Sequence, residues 1–128
     1  MIFVFDISTP VGATASSKKK TVLKVARGTT YKFEVLFPPG PSGLLHLQVC
    51  DALHQVWPTN PDANFSGDGE TISFEDEFLI DEPPYELQAF TWNEDDTYAH
   101  GLTIRIGIKA LSGTYYLSAE ELARAAVG

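Results

Sequence analysis

Cysteine is nearly missing from this chain of 128 residues: Cys50 stands alone, which excludes an intramolecular disulfide and a cysteine-built zinc site. A buried, inert thiol is the expectation for it. Long apolar runs are also lacking. None approaches the ~20 residues that a bilayer-crossing helix needs, so a soluble protein with no membrane partner is expected. Met1-Ile2-Phe3-Val4-Phe5 is apolar but has no basic leader, no extended apolar core and no small-residue cleavage site. It reads as a first strand and not as a signal peptide. Basic residues are in the minority, 9 against 17 acidic, for a net charge of -8. Such a surface repels a polyanion, and no nucleic-acid partner is expected.

What is present is ordinary for a globular domain: 44% hydrophobic and 20% charged residues, too apolar for a disordered chain. The length fits one domain, 1–128, able to bury roughly two thirds of its unfolded surface. The charge is uneven along the chain. Residues 1–60 hold six basic and three acidic groups, and residues 61–128 hold three basic and fourteen acidic, +3 and -11, which sum to -8. Two faces of opposite sign, able to meet between copies, are one expectation from this split; interleaving of the two halves in the fold is the other.

Period-2 alternation dominates the rest. Ile2, Val4 and Asp6 alternate with Phe3, Phe5 and Ile7, so residues 2–8 form a strand. Pro10, Gly12, Ser16-Ser17 and three lysines make 9–20 a loop. Strands follow at 22–26 and along Tyr31, Phe33, Val35 and Phe37, then a stiff connection at Pro38–Gly43. Leu45, Leu47 and Val49 define the next strand and Gln55–Trp57 a short one. Ile72 to Ile80 reads as a strand whose central Glu75-Asp76-Glu77 suits an edge or a bulge. Tyr85–Trp92 and Tyr98–Lys109 read as a hairpin turning at 93–97, the second arm bearing the strongest signal, Leu102, Ile104, Ile106 and Ile108. Tyr115-Tyr116 is a further place to close the sheet. Ser118-Ala119-Glu120-Glu121 is a capping box before an alanine-rich end, which predicts a short C-terminal helix. The expectation is an all-β fold, an antiparallel β-sandwich of jelly-roll or Ig-like type with about seven to nine strands and that terminal helix.

Chemistry is sparse. His46, His54 and His100 stand in no metal-ligand spacing, and no nucleophile-elbow sequence occurs, so no catalytic residues are assigned. The stretch Asp62–Glu70 places side-chain oxygens of Asp62, Asn64 and Ser66 at the first, third and fifth positions, with Gly67 sixth and Asp68 beyond. That is the opening of a calcium loop, although the twelfth position is Ser73 where a bidentate glutamate belongs. The same residue types also suit any turn. Calcium is the single cofactor considered. Trp57, Tyr85, Trp92 and Tyr98 lie in or beside predicted loops, where they could line an interface or, as stacking platforms, a carbohydrate-binding, lectin-like site. Large aromatics of a small β domain more often build the core.

From Phe37 to Ile108 the motifs F-P-P-G-P-S-G-L-L, Q-V-W-P-T-N, F-S-G-D-G-E-T-I-S-F, P-P-Y-E-L, T-W-N-E-D-D and Y-A-H-G-L-T-I-R-I-G-I follow in order. This order resembles small β-sandwich accessory and decoration proteins of tailed-phage virions. The resemblance implies a non-enzymatic structural protein in the virion, made in the host cytoplasm, whose partners are its own copies and a capsid or tail surface. It transfers no catalytic residue.

Overall fold

The computed structural model describes residues 1–111. The expected C-terminal helix and Tyr115-Tyr116 lie outside them. The described residues form ten strands: β1 Ile2–Thr9, β2 Lys19–Lys24, β3 Gly28–Phe37, β4 Leu45–Asp51, β5 His54–Trp57, β6 Phe65–Ser66, β7 Glu70–Phe74, β8 Leu79–Ile80, β9 Glu86–Asn93 and β10 His100–Lys109. They make two five-stranded sheets in which every pairing is antiparallel. One has the order β1-β10-β3-β7 with β8 also on β3, and the other β2-β9-β4-β5 with β6 also on β4. The first strand thus pairs with the last, the second with the last but one, and β3 with β7. This nested order is that of a jelly roll, and of the two sandwich types expected it sets the Ig-like one aside.

The core follows from the period-2 stripes. Phe33, Val35 and Phe37 of β3 and Ile104, Ile106 and Ile108 of β10 are wholly buried against Leu45, Leu47 and Val49 of β4 and Leu87 and Ala89 of β9. β-Branched and aromatic side chains of one parity pack between the sheets while Lys32, Glu34 and Arg105 of the other parity face water. At one end the sheets are tied by a buried hydroxyl pair, Thr9 Oγ1 to Thr91 Oγ1 at 2.8 Å.

Three expectations change. The segments read as a hairpin, 85–92 and 98–109, become β9 and β10 but lie in opposite sheets. The residues between them turn a corner across the sandwich, held by Asn93, whose Nδ2 donates to Tyr98 O (2.9 Å) and whose Oδ1 accepts from Asp95 N (3.0 Å). The loop read over 9–20 shortens to 10–18, because β1 runs through Thr9 and β2 begins at Lys19; Ala13 O anchors it by accepting from Asn93 N at 2.8 Å. Each sheet draws strands from both halves of the chain, so the charge split along the sequence does not become two faces of opposite sign.

The acidic stretch in the strand read over 72–80 is an edge bulge. β7 and β8 pair with β3 in registers that differ by one residue, Phe33↔Phe74 but Thr29↔Leu79. Thr30 stitches the displaced segment: its Oγ1 donates to Asp76 O (2.7 Å) and accepts from Phe78 N (2.8 Å).

Candidate functional site

The four aromatics singled out from sequence separate in the fold. Trp57 is 1% exposed, its ring 4.7 Å from that of Phe33, with Nε1 donating to Asp76 Oδ2 at 2.8 Å. Trp92 is buried on the outer face of the second sheet. The ring of His46, directly across the ladder, stacks on it at 5.1 Å, and the Lys18 ammonium lies 4.6 Å from its centroid. Tyr85 is half-buried against the core, and Tyr98 alone stands in solvent, at the tip between β9 and β10. Neither indole offers an open face to a sugar ring.

That outer face is closed by its own polar side chains. Gln48 accepts from Lys18 Nζ (3.0 Å) and donates to Ala63 O (2.9 Å), while Gln55 Nε2 reaches Pro58 O (2.7 Å) and Ala63 O (3.0 Å). Gln88 Oε1 takes the Ala52 N–H at 2.7 Å. The amides satisfy the loop carbonyls and amides that fold over the sheet, which an apolar face could not do. Cys50 lies on the same face; burial pushes its thiol up, against the pull of Lys18, so it stays a protonated, weakly reactive group.

The stretch read as a calcium opening is used otherwise. Asn64 Oδ1 receives His46 Nδ1–H at 2.8 Å, and Asp68 Oδ1 receives Gly40 N–H at 2.7 Å. Ser66 sits in the short β6 ladder opposite His46, and Asp62 is an exposed residue with φ of 68°. The side chains turn to different partners, and among the described residues no three of His, Cys, Asp or Glu gather to hold a metal. The donor set does not fit a calcium cage.

The histidines are likewise dispersed. His100 Nε2 meets Asp95 Oδ2 at 2.8 Å, and this bond, with Thr97 and Tyr98 amides on the other oxygen, holds the Asp95 carboxyl below its usual range. His46 Nε2 faces Glu94 Oε1 at 3.3 Å without hydrogen-bond geometry. His54 lies at the opposite end, its ring 6.4 Å from that of Phe78. Of the three, His100 therefore secures the corner between β9 and β10, and His46 ties β4 to Asn64.

A cleft of about 580 Å³ opens between the β4–β5 turn and residues 79–84. Leu53, Leu79 and Phe90 are among its apolar lining residues, and Lys20, Asp51, Asp81, Glu82 and Glu86 bring charge to it. Sequence reading missed two features altogether: this cleft, because it is built from three separate segments, and the accessibility of β1. Of the eight large apolar side chains that the described residues leave in solvent, Met1, Ile2 and Val4 lie on or beside β1, Val11 in the loop after it, and Val22 on the outer face of β2 in the other sheet.

No family of known proteins and no curated protein matches the chain. Among solved structures it is similar to the Drosophila NLP core, a structure described as giving insight into pentamer formation and histone binding. The identity is 15%, over 87% of this chain and 100% of that one, with a TM-score of 0.41. It is also similar to the Tobacco streak virus coat protein dimer, at 12% identity over 92% of this chain and 96% of that one, with a TM-score of 0.36. At these scores neither likeness bears on what the chain does. No helix among the described residues is long and apolar enough to cross a membrane.

Proposed function

We propose that this chain is a non-enzymatic structural protein that self-associates, a phage-type virion decoration or accessory component carried on a capsid or tail surface. The observation that carries the self-association is the pair of apolar side chains left exposed on one face of β1, where Ile2 is 58% and Val4 56% exposed. Apolar surface gathered on one side is what a partner buries, whereas scattered exposed residues would mean nothing. In support of the non-enzymatic part, the three histidines stand apart: His100 is bonded to Asp95 at the β9–β10 corner, His46 to Asn64, and His54 lies beside Phe78. The virion assignment rests on the order of motifs from Phe37 to Ile108. A carbohydrate-binding role would need exposed ring faces, and of the four aromatics Tyr98 alone has one.

The reading is tested by displaying the purified protein to phage particles and empty heads stripped of accessory proteins, followed by sedimentation. Co-sedimentation that saturates at a fixed number of copies per particle is the expected result. Failure to bind any virion surface, with hydrolytic or transfer activity found in the same preparation, would overturn it.

A further inference from the structure

The geometry points to the open edge of β1 as the surface through which two copies of this chain join, antiparallel and edge to edge, about a two-fold axis near Val4. The inference rests on the self-association proposed above and names its interface.

The hydrogen-bond phase of β1 sets which groups are free. Met1 and Ile108 exchange both backbone bonds, each at 2.8 Å, and the β1–β10 register continues without a shift from Ile2↔Gly107 to Thr9↔His100. In an antiparallel ladder such reciprocal pairs recur at every second residue. Phe3, Phe5 and Ile7 therefore direct their N–H and C=O groups into β10, and Ile2, Val4, Asp6 and Ser8 direct theirs out of the sheet. The Lys19 ammonium takes Ser8 O and ends the open stretch there. Ile2, Val4 and Asp6 remain, with no strand among the described residues pairing on that side.

Sheet edges are normally guarded by charge, short length or a bulge. The other edges of this sandwich are. β2 carries Lys19, Lys20 and Lys24, β5 is four residues long and paired through a register shift, and β7 and β8 are separated by the acidic bulge. β1 has eight residues, no bulge, no proline and no lysine. Beside its open amides stand Ile2 and Val4, exposed on the outer face. On the inner face Phe3 and Phe5 remain half-buried, although their ladder partners Ile106 and Ile104 are wholly covered. The core is unsealed at this edge, and an added strand would seal it.

A second β1 fits as occupant. With Val4 opposite Val4 of the other copy, the open groups of Ile2, Val4 and Asp6 meet those of Asp6, Val4 and Ile2, a set that reads the same in both directions, as a two-fold contact requires. The single charged side chain of the open set, Asp6, faces Ile2 of the other copy in this pairing, so no like charges meet across the seam.

Val4→Pro tests the contact. Proline removes the outward N–H and leaves the β1–β10 bonds, which Val4 does not make, so an edge strand tolerates it there. Sedimentation equilibrium should show an associating wild type and a variant with its dissociation constant raised about tenfold or more, with unchanged circular dichroism. If the proline variant does not fold, Val4→Lys, which places a charge beside the edge, decides in its place. An associating wild type matched by an equally associating folded variant would overturn the β1 interface alone. A wild type that stays monomeric would overturn both this interface and the self-association it rests on.

Discussion

Replacing Trp57 with alanine separates a core residue from a ligand platform. A tryptophan buries ~150–250 Å², which at about 25 cal/mol per Å² corresponds to about 4–6 kcal/mol of lost burial. The hydrogen bond from Nε1 to Asp76 contributes about 1 kcal/mol more. Relaxation of Phe33 and Phe74, whose rings lie 4.7 and 6.1 Å away, recovers part of the cavity. The expected loss is therefore about 3–5 kcal/mol, in the range seen for buried aromatic truncations. Against a total of about 5–15 kcal/mol for a domain, that is a large fraction. Urea unfolding followed by far-ultraviolet circular dichroism measures it, as a fall in midpoint at constant slope. A loss below about 1 kcal/mol would place Trp57 at the surface and refute the packing described for it.

Other consequences are as specific. A Cβ on Gly28 would stand 2.3 Å from the carbonyl oxygen of Lys109, which the ladder holds, whereas on Gly107 it would meet the half-buried Tyr31 ring at 2.5 Å. Gly28→Ala should thus destabilise the fold more than Gly107→Ala in urea unfolding, the first by about 1–3 kcal/mol or above; the reverse order would contradict the placement of Gly28. Asp95 has its folded pKa below the ordinary carboxylate value, so the unfolded chain binds the proton more readily. Its stabilisation is complete above the ordinary value of about 4 and is lost as pH falls through the lower folded value; Asp95→Asn should flatten the acid limb of a stability–pH curve, and an unchanged limb would remove the His100 contact from the account. Millimolar calcium should leave the melting temperature unchanged, while a rise abolished by Asp62→Ala would restore the metal reading of residues 62–70.

Much of the secondary structure was legible because alternation reports which side of a strand meets the core. Leu102, Ile104, Ile106 and Ile108 were readable as one face of a strand, and Ile2, Val4 and Asp6 as the face opposite Phe3, Phe5 and Ile7, which the fold turns outward and inward respectively. Pairing was not legible, because alternation carries no information about the neighbour. The 93–97 segment has the composition of a hairpin turn, yet Asn93 uses the same polar chemistry to carry the chain from one sheet to the other. The acidic triplet at 75–77 was readable as a bulge because three adjacent carboxylates cannot share a central strand. The proposed site residues fared less well: Trp57 and Trp92 adjoin loops in sequence but project into the core and under a polar cover. The edge of β1 leaves no mark in the residue pattern, since its openness depends on which strand fails to pair with it.

The mass of the wild-type protein in solution, by light scattering across a concentration series, tests the central claim most directly. The account predicts a stable species of two or more chains that persists on dilution into the micromolar range. A single-chain mass at every concentration would contradict it.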